Sequence, residues 1–584
     1  MKIKIFLAIL FLGLFSIPLV AQPSAVEVKK LNELFDSEWE RGLSNNPERA
    51  TYLGDERWND RWTDVSLDSI EKRHQEDLET LKKIKEIDEN ALSESDRLNL
   101  TLFRKQYENR IERYRFKEFL LPINQQGGIQ TAQSATRFMK LESIKQYEDW
   151  LSRMNSFDRK MDQVLALMRE GKRLGIMLPK VVLSRVPTQI KAQIVEDPEK
   201  SPWFEPFGKI PASFADGERE RLQESAKEAI RAKIVPSYSR LYKYFTEEYL
   251  PAAYPKVGVW QHPDGAEYYA FLARSFTTTS MSPEEIHQKG LSEVSRIRAE
   301  MEKIKSSVGF KGSLKEFFAY LRTDEKFFFK TPEELLTAYR ATAKRIDPLV
   351  PRVVKTLPRT PYGVIPIPDQ IAPDTTTAYY NPPAADGSRP GYYSVNLYKP
   401  ETRPKWEMMA LTIHEAVPGH HLQIAIQQEL GELPKFRRFG GFTAFTEGWG
   451  LYSESLGEDM GLYEDPYDKF GQLTYEMWRA VRLVVDTGMH YYKWDREKAI
   501  EFFRDNAAKT DQDIVNEIDR YISDPGQALA YKIGELKMQE LRTRAEKRLG
   551  SRFDLREFND AILKNGAVPL DVLETKIEEF IGGK

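Results

Sequence analysis

The sequence predicts a mainly α-helical protein with one small β region placed just before its most unusual helix. Three observations carry this. Along most of the chain, apolar residues recur at three- and four-residue steps against charged faces. Residues 357–400 are the only convincing β region, with dense Pro and Gly, sparse charge and short runs of β-formers. The content is 41% hydrophobic and 30% charged with no Cys, so the fold must rest on a packed core without disulfides.

In chain order, MKIKIFLAILFLGLFSIPLVAQ has Lys2 and Lys4, an apolar run from Ile5 and a small residue, Ala21, before Gln22. That is the pattern of a secretory signal peptide over residues 1–21. Pro18 interrupts the run, which is short for a membrane span of ~20 residues. No Cys follows it, so the bacterial lipoprotein type is not expected. The mature protein is expected to be soluble, in the periplasm or outside the cell, with no later membrane segment.

Residues 22–356 form the expected N-terminal helical region. Helical periodicity covers 26–43, 66–87 and 93–116, with a loop over 45–62 and a Pro/Gly-marked break at 120–130. Helices resume at 143–175 and 216–250. At 282–304, Ser282 with Glu285 is a capping box and Pro283 suits the first helical turn. Residues 357–584 form the expected catalytic region, continuous with the first as one globular unit. Two strands are expected there, Thr375 to Tyr380 and Gly391 to Tyr398, and helices from 404 onward. His74, His262 and His287 read as ordinary surface or packing residues. A formal net charge of −3 and a pI near 6.3 argue against nucleic acid or an anionic membrane as partner.

The stretch LTIHEAVPGHHLQIAIQQEL, 411–430, holds three of the 7 His, His414, His420 and His421, with Glu415 beside the first. Imidazole is the commonest metal ligand, and a carboxylate next to a metal-bound water is the usual general base. The familiar spacing H-E-x-x-H puts two His on one helical face. Here the second His comes six or seven residues on. Six residues turn a straight helix through ~600°, and seven carry it ~10.5 Å along the axis, so neither His could share an ion with His414. Pro418 and Gly419 resolve this if they break the helix between Val417 and His420. His420 is preferred over His421 as second ligand, which leaves His421 as a supporting or substrate-contacting group. A kinked core helix with satisfied buried His is the competing reading.

A third ligand is sought downstream. FTAFTEGWGLYSESLGED, 442–459, reads as a helix in which Glu447 and Glu454 share a face. Glu447 lies among Phe442, Phe445 and Trp449, where an unpaired carboxylate is costly; a metal or a buried ion pair would satisfy it. Glu454 is either an orienter of a ligand His or an ordinary helix-face ion pair. In RAVRLVVDTGMH, 479–490, Arg479, Arg482, Asp486 and His490 punctuate an apolar helix. A structural Arg–Asp pair is the default there; gripping a substrate carboxylate or orienting a ligand His is the sharper alternative.

HEAVPGHHLQ, TEGWGLYSESLG, RAVRLVVDTGMH and PGQALAYKIG together resemble the bacterial domain-of-unknown-function family 885, DUF885, which is grouped with the helical zincin peptidases. TTTSMSPEEIHQKGLSEVSRIRAEM and FNDAILKNGAVPLDVL extend the resemblance over nearly the whole mature chain. The resemblance implies a large helical zincin-like hydrolase fold, with His414, His420 and Glu447 holding Zn²⁺ and Glu415 as general base. It points to Tyr531 as the oxyanion donor, a residue otherwise read as core packing. It likens GYYSVNLYK to a substrate-pairing edge strand, with Tyr392, Tyr393 and Asn396 as contacts; a plain structural hairpin is the alternative. The family's closing motif has a His where Asn559 stands, so no role is carried to that position. The expectation is a secreted zinc peptidase acting on peptide bonds. The alternatives are a metal-dependent amidase on non-peptide or cell-wall amides, or a non-catalytic peptide-binding relative.

Overall fold

The computed structural model describes residues 23–369 and 372–584. The expected signal peptide, residues 1–21, lies outside them. The chain is 70% helix and 4% strand, so the mainly α expectation holds. Among the described residues no helix is long and apolar enough to cross a membrane.

Ala25–Asn45 (α1), Leu67–Lys85 (α2) and Glu94–Arg115 (α3) follow the expected periodicities. Ser66 and Ser93 start the second and third by accepting from the backbone N–H groups of Ser69 and Asp96. The expected loop at 45–62 is partly helical instead. Pro47–Tyr52 forms a short helix with Asn46 as N-cap and Pro at its first turn, where a missing N–H costs nothing. The Pro/Gly break becomes a small hairpin, Ile123–Asn124 (β1) with Gly127–Gly128 (β2). Gly265–Thr277 (α4) follows. Pro283–Ser307 (α5) then begins with the predicted capping box, Ser282 and Glu285 bonding each other's backbone. Pro332–Ile346 (α6) leads to the sheet.

The sheet has three strands, not two: Tyr362–Pro366 (β3), Ala378–Asn381 (β4) and Gly391–Val395 (β5). Their order is β3-β5-β4, with β3 parallel and β4 antiparallel to β5. This corrects the edge-strand expectation, because β5 is the central strand and both its backbone edges are occupied. Tyr393 and Asn396 are corrected as substrate contacts with it. Tyr393 is fully buried with its hydroxyl by Thr412, and Asn396 Nδ2 donates to the carbonyls of Ala372, Thr375 and Thr376. Tyr392, on the opposite face, is half-buried. The strand missed was Tyr362–Pro366, whose Pro-rich surroundings mask a short parallel strand that only β5 defines.

After the sheet come Met408–Glu415 (α7), His420–Glu429 (α8), Thr443–Asp459 (α9), Pro466–His490 (α10), Asp511–Ser523 (α11) and Ala530–Leu549 (α12). Every residue of α10 from Phe470 to His490 is buried. A helix sheltered on all sides is a core element, and α5, α7, α9 and α12 pack around it. Gly290 lets α5 come close, for a Cβ there would lie 2.7 Å from Leu483 and 2.9 Å from Val484. Two apolar cores flank this centre. One joins residues 123–528, and the other joins the N-terminal helices to the C-terminal ones, including Leu31, Phe103, Phe436, Leu541 and Ile577.

A candidate metal centre

The helix that opens at Met408 stops at Glu415, and a new one starts at His420. The intervening residues, Ala416 to Gly419, form the predicted break. Gly419 N–H donates to Ile413 O at 3.0 Å and His421 N–H to Ala416 O at 3.1 Å, so the break keeps its backbone groups paired. Position 419 has to be Gly, because a Cβ there would lie 2.0 Å from His414 O. The Val417–Pro418 peptide is cis. Pro418 O accepts from Trp449 Nε1 at 2.8 Å, which ties the break to α9.

The break brings His414 and His420 together, with ring centroids 4.6 Å apart and planes at 84°. Glu447 on α9 faces both. Its Oε2 lies 3.7 Å from His414 Nε2 and 3.4 Å from His420 Nε2. The three ligand atoms all fall within 4.8 Å of one another. Two ligands each ~2.0–2.1 Å from a tetrahedral zinc are ~3.3 Å apart, close to the two separations from Glu447. Two imidazoles and one carboxylate, with a fourth position left open, is the donor set of a catalytic zinc site.

Burial would pull the His414 imidazole down, but the Glu447 and Glu454 carboxylates outweigh it and hold its pKa up at about 9. Burial would raise the Glu447 carboxyl, yet His420 and His414 hold it well below the usual range. His414 Nδ1 lies 2.8 Å from Glu454 Oε1, and Arg479 Nη2 lies 3.6 Å from the same oxygen. Glu454 is fully buried against His414, so it is not a surface ion-pair residue. His420 Nδ1 is buried without a partner among the described residues. Glu415 is buried beside His414, and its carboxylate has no hydrogen-bond or ion-pair partner among the described residues.

His421 is not in the cluster. Its Nδ1 accepts from Tyr380 OH at 2.8 Å and its Nε2 donates to Thr360 O at 3.0 Å. Burial lowers its pKa to about 4, so it is the neutral stitch between the sheet and α8.

Tyr531 sits on α12 within electrostatic reach of Glu447. Burial first, then Glu447, raises its pKa, while Arg482 and Arg520 pull it partly back. Gln527 Nε2 lies 3.5 Å from its hydroxyl, and the Arg482 guanidinium carbon stands 4.3 Å over its ring. The expected Arg–Asp pair on α10 is corrected. Asp486 accepts from Tyr269 OH at 2.5 Å and from Gly526 N–H at 3.1 Å, which fixes the turn before α12. Arg482 instead binds Glu517 and Tyr521 on α11. His490 accepts from Val259 N–H and donates to Tyr521 O. Asn559 is buried and structural, donating to Val353 O and accepting from Tyr452 OH.

The sequence reading missed Gly450. A Cβ there would lie 2.8 Å from His414 Cε1 and 3.0 Å from His420 Cε1, so this glycine makes the space the two imidazoles occupy. The signal was present: glycine inside a helix costs ~1 kcal/mol, and Gly448 and Gly450 sit two apart in one.

A family model described as "Bacterial protein of unknown function (DUF885)" matches residues 47–577. No curated protein matches the chain. Among solved structures, the chain is similar to a candidate lipoprotein from Colwellia psychrerythraea, at 29% identity and a TM-score of 0.90, over 96% of this chain and 100% of that one. It also resembles a candidate lipoprotein of unknown function from Shewanella oneidensis, at 16% identity and a TM-score of 0.71 over 94% and 99% of the two chains, a likeness of fold alone.

Proposed function

The chain belongs to the DUF885 family of bacterial proteins, and from its own site we propose that it is a zinc-dependent peptidase that cleaves peptide bonds with an activated water. The observation that carries this is the convergence of His414, His420 and Glu447, from three separate turns of chain, with Glu415 beside them. A purely structural ion pair has no need of a fourth acidic group without a partner. When bound by those three residues, a zinc ion supplies Lewis acidity that polarises the carbonyl and lowers the pKa of a water.

The chain's own groups do the rest. Glu415 takes the proton of the attacking water and returns it to the leaving amine nitrogen. Tyr531 donates its hydroxyl hydrogen to the carbonyl oxygen as negative charge builds there; burial keeps the phenol neutral and therefore a donor. Glu454 holds the His414 ring so that Nε2 faces Glu447. Export is part of the proposal, supported by the charged-then-apolar start of the chain.

The test is a peptide-library digest, with and without a chelator, read by mass spectrometry on wild type and Glu415→Gln. The variant should keep its zinc and lose activity by about 10²- to 10⁴-fold or more. Full activity in that variant, or chelator-insensitive cleavage, overturns the assignment.

A further inference from the structure

We propose that Arg482 is the anchor for a substrate carboxylate, so that the site takes peptides by their free C-terminus. This rests on the peptidase reading above and adds the class of substrate. Arg482 is 4% exposed on the all-buried helix α10. Its Nε donates to Tyr521 OH at 2.8 Å and its Nη2 to Glu517 Oε2 at 3.0 Å. Its Nη1 is buried with no partner among the described residues. A charged donor left unsatisfied in the interior costs at least ~1–3 kcal/mol, a cost that an incoming acceptor would relieve.

Charge points the same way. Glu517 also accepts from Arg520 through Nη2 at 2.9 Å and Nε at 3.2 Å. One carboxylate therefore serves two guanidinium groups, and one positive charge is left over. Asp486 and Asp524 lie within electrostatic range of Arg520, but neither forms an ion pair with it or with Arg482. Arg479, one turn before Arg482, is matched by Glu454. At the metal cluster, Glu447 and Glu415 together match a divalent cation. The surplus positive charge thus lies with the Arg482–Arg520 pair, and its complement is an anion.

Position selects which anion. Arg482 stacks 4.3 Å over the ring of Tyr531, the residue that serves the scissile oxygen. The carboxylate at the end of a chain follows its last peptide bonds at ~3.8 Å per residue. A guanidinium one aromatic ring away from the proposed oxyanion donor therefore suits a C-terminal carboxylate one or two residues beyond the cleaved bond. The guanidinium fork is the side chain best shaped to hold it.

The experiment compares one N-blocked tripeptide as free acid and as C-terminal amide. Cleavage is measured with the wild-type enzyme, and binding by calorimetry with zinc-loaded Glu415→Gln. The free acid should be favoured by about 10- to 100-fold in both. In Arg482→Gln that preference should fall below about threefold, with Arg482→Lys in between. The wild-type comparison stands even if the buried Arg482 cannot be replaced without unfolding. Equal handling of acid and amide overturns the carboxylate anchor while leaving the peptidase reading intact. A preserved binding preference without cleavage of either peptide supports the anchor and removes the peptidase reading. No binding of either peptide overturns the anchor.

Discussion

Glu454 Oε1 lies 2.8 Å from His414 Nδ1, and the same oxygen has Arg479 Nη2 at 3.6 Å. Imidazole, carboxylate and guanidinium form a line that fixes both the tautomer and the orientation of His414. Such partners usually set metal affinity within a factor of 10–100. Glu454→Ala should therefore weaken zinc binding by about that factor, read by competition with a chromophoric chelator. Glu454→Gln, which can still accept, should lose less. Unchanged affinity in both variants would make Glu454 a packing residue.

Gly450 and Gly448 give a second, internally controlled expectation. In Gly450→Ala the new methyl meets the two imidazoles at 2.8–3.0 Å, so bound zinc should drop below about half an equivalent. In Gly448→Ala the methyl meets the backbone of Gly534 at 2.6 Å instead. That variant should lose about 1–3 kcal/mol of stability by overpacking. Metal analysis and thermal unfolding, run on both, separate the two effects.

His490 makes stability depend on pH in an identifiable window. Its Nδ1 accepts from Val259 N–H, which only the neutral ring can do, and burial lowers its pKa from 6.5 to about 4. A base with a depressed folded pKa contributes stability that is complete above the unfolded pKa and lost as pH falls through the folded one. The protein should lose up to about 3 kcal/mol from this group between pH 6.5 and pH 4. Denaturant unfolding across that range should show a shallower loss in His490→Gln. An identical pH profile in the two proteins removes His490 as the cause.

The break at Pro418 and Gly419 was legible because it followed from local rules: the His spacing is impossible on a straight helix, and the two residues that relieve it stand between. Glu447 and Glu454 were legible because seven residues restore a helical face. What pairs with Arg482 was not legible. Glu517 is 35 residues away on another helix, and the nearer acidic residue, Asp486, was taken up by Tyr269 and the Gly526 turn. The rank of β5 within its sheet was hidden for the same reason, since a parallel partner leaves no turn signal between the strands. Local periodicity and spacing carry the fold class and the cluster; pairings across the chain decide the rest.

Gly448 and Gly534 let α9 and α12 touch main chain to main chain, with no side chain between them to act as a bearing. Glu447 and the phenol Tyr531 ride on those two helices. They are therefore mounted on one stiff bracket, and neither can travel without the other.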